Sequence, residues 1–231
     1  DSFQATISTN TNADDNRDDS GAVYVYKRTG NIWAFEAFIK ASNNGTNDKF
    51  GSSVAIDGDT LVVGAVGEKS NQTTITNDNH SSTDNSLNDS GAVYVYKRSG
   101  SIWTQEAYIK SDNNSSNNKF GNSVAIDSDT LAVGAYKAGS GVVYIYKREG
   151  TSWVQESYLK PKHLTDSGDE FGISVTLDGD TLAVGAPKED SNQNTITNGE
   201  NASSNNGSGG SGAVYIYKRS GNSWSQQAYI K

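Results

Sequence analysis

The chain has no cysteine, no methionine, two prolines and two histidines in 231 residues, and each shortage removes a class of chemistry. Without cysteine there are neither disulfides nor thiolate metal sites. The two histidines, His80 and His163, both lie in polar connections without recurring partners, so each reads as a solvated side chain rather than a general base. Cations are few: 19 Lys and Arg stand against 27 Asp and Glu, a formal charge of -8. A nucleic-acid partner, which needs clustered cations to displace counterions, is therefore not expected. No apolar run approaches the ~20 residues that span a bilayer, so membrane insertion is not expected either. Neither a glycine-rich phosphate loop between strand and helix nor a Ser/His/Asp spacing is legible, and no enzyme is expected. With no Met at position 1 and no leader-like segment, the sequence reads as a processed product or an excerpt of something longer.

Apolar residues are also scarce, at 33% with a mean hydropathy of -0.66, yet 4 Trp, 12 Tyr and 6 Phe are present. They are concentrated in repeats. SGAVYVYKR occupies 20–28 and 90–98, SGVVYIYKR 140–148 and SGAVYIYKR 211–219. A Trp follows each, at Trp33, Trp103, Trp153 and Trp224, and then EAFIK, EAYIK, ESYLK or QAYIK. Between them stand FGSSVAIDGDTLVVGA at 50–65, FGNSVAIDSDTLAVGA at 120–135 and FGISVTLDGDTLAVGA at 171–186. The recurring aspartates and glutamates are equivalent by repeat, which marks them as architectural.

Each block reads as strand. Val54 and Ile56 alternate with Ala55, Asp57-Gly58-Asp59-Thr60 reverses the chain, and Leu61-Val62-Val63 returns, giving strands A and B. Val23 and Val25 alternate with Ala22, Tyr24 and Tyr26, a strand C with bulk on both faces. Lys27-Arg28-Thr29-Gly30 then turns the chain into strand D, from about Trp33 to Lys40. No stretch shows a capped helical period. Four antiparallel strands per unit, apolar on both faces, match the blades of an all-β propeller.

These blocks resemble the FG-GAP repeats of the integrin α-subunit type. The match is most literal in the last unit, where Phe171-Gly172 opens the block and Gly185-Ala186-Pro187 closes it. The resemblance implies an FG-GAP β-propeller region over 1–231, in about three and a half repeats: 1–40 (partial), 41–110, 111–160 and 161–231. Residues 1–10 align with SNQTTITN at 70–77 and SNQNTITN at 191–198, which places position 1 in mid-blade. Flanking repeats, or self-association, are expected to close the ring, because an open one exposes an apolar face and a strand edge.

In an up-and-down blade the A–B and C–D turns leave one end of the sheet, and the B–C and D–A connections leave the other. The long B–C segments 66–89 and 187–210, against only 136–139, make the second end the place for recognition. The resemblance implies the same, because integrin relatives recognise partners through this end. Candidate contacts are Asn71, Gln72 and Thr73, their counterparts Asn192 and Gln193, and Asn113 and Asn114 of a D–A loop. The Ser-Asn-Gln-x-Thr-Ile-Thr motif reads as a short extra strand that either presents these amides or merely extends the blade. The expected partner is an extracellular protein or glycan; the alternative is a structural repeat of a surface layer, filament or large adhesin.

The integrin-like family often carries an Asp-x-Asp-x-Asp-Gly calcium loop in the A–B turn. Here that turn is only Asp57-Gly58-Asp59, Asp127-Ser128-Asp129 or Asp178-Gly179-Asp180. Two carboxylates in a tight turn cannot supply the six to eight oxygens of Ca²⁺, so the family's calcium sites are not carried over and no cofactor is expected, with Ca²⁺ at another oxygen cluster as the alternative. Weaker oxygen clusters stand at Asp14, Asp15, Asp18 and Asp19, and at Asp166, Asp169 and Glu170, where turn formation is the simpler explanation.

Overall fold

In the computed structural model, which describes residues 7–8, 18–161, 168–201 and 207–231, every regular element among the described residues is a β-strand. A half-blade comes first, from β1 (Val23–Thr29) and β2 (Ile32–Ile39). Blade II contains β3 (Phe50–Asp57), β4 (Thr60–Ala65), β5 (Ile75–Thr76), β6 (Ala92–Ser99) and β7 (Ile102–Ile109). Blade III contains β8 (Ser123–Asp127), β9 (Thr130–Ala135), β10 (Val142–Glu149) and β11 (Ser152–Leu159). Blade IV contains β12 (Ser174–Asp178), β13 (Thr181–Ala186), β14 (Thr197–Asn198), β15 (Ala213–Ser220) and β16 (Ser223–Ile230).

Pairing within each full blade runs A-B-C-D, all antiparallel, as the alternation and turns predict. Blades II and IV add the short β5 or β14 outside strand D, where Thr76 faces Tyr108 and Thr197 faces Tyr229. In the half-blade the same place is taken by Ser8, bridged to Phe38, so the expected alignment of the first residues with 70–77 holds in register.

The blades stack face to face, with the A strands β3, β8 and β12 packed side by side. Each blade turns aliphatic side chains to the next and receives aromatics from it. Between II and III, Val62, Val93, Val95 and Ile109 meet Phe120, Tyr144, Tyr146 and Trp153. Two further layers of the same composition lie between the half-blade and II and between III and IV. Strand C is buried on both faces in β6 and β10, as its sequence implies, but alternates in β1, where Tyr24 and Tyr26 are exposed.

Close backbone approach explains why the blocks begin with FG and end with GA. Gly21, Gly91 and Gly141 form parallel bridges to Phe50, Phe120 and Phe171 of the following blade. A Cβ on Gly64 would lie 2.0 Å from the carbonyl oxygen of Gly121, and one on Gly134 equally close to that of Gly172. Beside these contacts Ser53 and Ser123 donate to the same two carbonyls, each at 2.7 Å. The repeat signature is thus a stitch between sheets rather than a turn.

Candidate functional site

The loop-rich end is assembled from two kinds of segment, and their hydrogen bonds place them together. The B–C loop of blade II is held between the D–A loops on either side. Asn43 donates to Glu68 Oε1 at 3.1 Å and to the Ser82 carbonyl at 2.6 Å. Lys69 pairs with Asp48 at 3.1 Å, and Asn114 donates to the carbonyls of Ser70 and Gln72, each at 2.9 Å. The short reversals gather at the opposite end, where Arg98, Arg148 and Arg219 donate their amides to the carbonyls of Asp59, Asp129 and Asp180, each at 2.8 Å.

Under this end lies a buried lock. Lys110 Nζ pairs with Glu68 Oε2 at 2.6 Å and donates to Ser90 Oγ and the Gly91 carbonyl, while Tyr108 donates to Glu68 Oε1 at 2.9 Å. Burial, opposed by Glu68, holds Lys110 below the ordinary lysine range. Blade IV repeats the pair as Lys231–Glu189 at 2.5 Å. Blade III has the short connection, and there Lys160 is exposed with its ammonium over the Tyr158 ring. The lysine is therefore buried because the long loop covers it, and the loop brings its own carboxylate.

Among the candidate contacts, Asn71, Thr73 and Asn113 are exposed beside Asn114, so the structure brings those of 71–73 and 113–114 into one patch. Asn192 is exposed on blade IV, with blade III between the two patches. Other amides are engaged internally. Gln72 donates to the Thr74 carbonyl at 3.1 Å and Thr76 Oγ1 at 2.8 Å, and Gln193 does the same to Thr195 and Thr197. Together with Asn114 they shape the loop that carries their exposed neighbours.

The long loop does not stay at the end of the sheet. It runs down the outer edge of strand D, where β5 pairs and Gln105 donates to the carbonyls of Asp78 and His80. The unpaired edge of an outermost strand offers backbone groups that a polar segment can satisfy. His80 lies there exposed, 3.0 Å from Asp78, whose carboxyl is held low chiefly by the His80 backbone N–H. His163 and Asp166, with Asp14 and Asp15, lie outside the described residues. Asp169 is buried, and Glu170 pairs with Lys188 at 2.7 Å and Lys137 at 3.3 Å, which hold its carboxyl low. Asp57 and Asp127 accept the turn amides of Ser128 and Gly179 from the next blade, so these turns link sheet to sheet.

Two features escape a reading of the sequence. Equivalent side grooves of about 230 and 190 Å³ open between neighbouring outer strands, one lined by Lys40, Tyr96, Trp103 and Gln105, the other by Lys160, Tyr217, Trp224 and Gln226. Their signal was the recurring Trp-x-Gln of the Trp block. The second feature is a clasp. In every C–D pair the register slips at one place, leaving Glu36, Glu106, Glu156 or Gln227 unpaired in a bulge. A bulge re-aims its side chain. The glutamates reach the next blade, accepting from the indole of Trp103 at 3.1 Å, Trp153 at 2.9 Å and Trp224 at 3.0 Å. Arg98, Arg148 and Arg219 lie over those indoles and pair with the same glutamates at 3.1, 3.4 and 3.9 Å.

A family model described as FG-GAP repeat matches residues 33–96, 103–146 and 153–217, together more than half of the chain. No curated protein matches.

Proposed function

Since the chain belongs to the FG-GAP repeat family, whose repeats form β-propeller modules of the binding and adhesion type, we propose that it is a non-catalytic, secreted or cell-surface module that binds an extracellular protein or glycan through its loop-rich end. One observation carries the reading: the long loops are internally braced yet leave Asn71, Thr73, Asn113 and Asn192 turned to solvent. Bracing lowers the ordering cost of binding, and amides and hydroxyls suit polar epitopes and sugar hydroxyls. The groove residues Lys40 and Gln105 continue this polar lining down the side of the stacked blades.

The test is a glycan array and a pull-down from extracellular extract, run on the wild-type chain and on one in which 66–89 and 187–210 are both replaced by the 136–139 connection. Blade III folds with that connection and leaves its lysine exposed, so the variant is expected to remain folded. Binding by the wild type and loss of it in the variant is the expected result. Equal binding by both would refute the proposal, and concentration-dependent assembly without any soluble ligand would favour a purely structural role.

A further inference from the structure

The outer edge of strand D is covered in the half-blade and in blades II and IV, whereas in blade III no cover pairs with it among the described residues. In the half-blade Ser8 and Phe38 exchange both backbone hydrogen bonds, each at 2.8 Å. Thr76 takes the same place opposite Tyr108, and Thr197 opposite Tyr229. An isoleucine precedes each hydroxyl residue, at Ile7, Ile75 and Ile196. The aligned residue of blade III is Tyr158, which pairs with Tyr144 in the register that Phe38 keeps with Tyr24. By the same alternation its N–H and C=O face outward, where no strand meets them among the described residues. Tyr158 is 40% exposed, against 0% for Tyr108 and Tyr229. The edge is open because the 136–139 connection is too short to reach it.

That connection also lacks the carboxylate of the long loops. Ala138 makes the turn bonds that Glu68 and Glu189 make, its amide to the Ala135 carbonyl and its carbonyl from the Gly141 amide. Lys160 is therefore left exposed beside the open edge, whereas the side chains of Lys110 and Lys231 are buried against Glu68 and Glu189. Next to the edge lies the groove toward blade IV, lined by Tyr158, Lys160, Tyr217 and Trp224, and the buried Tyr217 hydroxyl has no partner among the described residues. Between blades II and III the covering segment itself spans this position. Asn77, next after Thr76, donates to the Trp153 carbonyl at 3.2 Å and accepts from the Trp153 amide at 2.6 Å.

We propose that the outer edge of β11 takes an extended, acidic segment of another protein as a fifth strand, with an Ile-Thr-Asn core and a carboxylate for Lys160. Its isoleucine stands opposite Leu159 and its threonine opposite Tyr158, as Ile75 and Thr76 stand opposite Ile109 and Tyr108. Its asparagine crosses the groove to the Trp224 backbone, as Asn77 crosses to Trp153. Main-chain bonds supply affinity in such strand addition, and the side chains that flank them supply specificity. The site needs neither Asn71 nor Asn192 and does not depend on the reading of the loop-rich end.

The test is residue-resolved hydrogen exchange and fluorescence anisotropy of the chain with a labelled peptide that copies 189–198, Glu-Asp-Ser-Asn-Gln-Asn-Thr-Ile-Thr-Asn. Without peptide the Tyr158 amide should exchange faster than those of Tyr108 and Tyr229. With peptide it should become protected, and binding should saturate with a Kd below about 1 mM. Aspartate in place of the peptide's isoleucine, or Lys160→Glu in the chain, should each weaken binding by about tenfold or more. Exchanging 136–139 for 66–89 should abolish it, because blade III then covers its own edge. Lys160 is exposed, so Lys160→Glu keeps the test decisive even if the loop exchange fails to fold. No protection of Tyr158, equal protection by the aspartate peptide, or indifference to Lys160→Glu would each overturn the proposal. So would protection that rises with the concentration of the chain alone, which would give the edge to a second copy.

Discussion

Glu68 and Lys110 meet at 2.6 Å with side chains 1% and 0% exposed, which makes this pair the residue-scale feature with most at stake. Removing one partner of a buried pair strands the other charge, a cost of about 3–5 kcal/mol. Glu68→Gln is therefore expected to lower the urea midpoint by that equivalent. Exchanging the whole loop is not, because Lys110 then reaches solvent as Lys160 does. A second residue-scale test separates close approach from backbone conformation. Gly64 and Gly185 occupy the same repeat position, but Gly64 faces the Gly121 carbonyl, whereas Gly185 meets only its own blade's Ser174 side chain. Gly64→Ala should cost about 3 kcal/mol or more through a backbone clash, and Gly185→Ala less than about 1 kcal/mol, since a serine rotamer can yield. Equal losses in chemical denaturation would refute the stitch.

At the scale of elements, the C–D ribbon does two jobs with one irregularity. Its bulge breaks the ladder at Glu106 and sends that carboxylate to Trp153 and Arg148 of the next blade. Trp153 is buried, so Glu106→Ala would leave its indole N–H without this acceptor and cost about 1–3 kcal/mol. Glu106→Gln keeps the acceptor and should recover part of that loss in thermal melts. The recurring EAYIK motif was plain in the sequence, but the glutamate read as one more architectural acid. Strand register, not periodicity, makes it the unpaired residue. Likewise the Ser-Asn-Gln-x-Thr-Ile-Thr motif announced a short strand, and β5 is one, but its place on the outer edge followed from the ladder groups that strand D leaves open.

At the scale of the whole molecule, the layers between blades set the response to alkali. Burial is the largest cause raising the phenols of Tyr94, Tyr96, Tyr144, Tyr146, Tyr215 and Tyr217 above the ordinary value of 10.0. A folded value above the unfolded one means that the native state keeps protons which the unfolded chain releases. Stability is therefore full below pH 10 and falls as pH rises beyond it, by about 1.4 kcal/mol per pH unit for each such phenol. Lys110, depressed by burial, acts with opposite sign, but as a single group. Unfolding should coincide with the tyrosinate absorbance of these buried phenols in a pH titration, and their titration without loss of structure would contradict the packing. Sequence alone determined the strands, their order and the two unlike ends, because a period of two, glycine turns and a repeated block are local properties. Tertiary structure decided what each residue faces. The FG glycines, the bulged glutamates and the buried lysines owe their roles to a neighbouring sheet or a covering loop, distant in sequence and adjacent only after the blades have stacked.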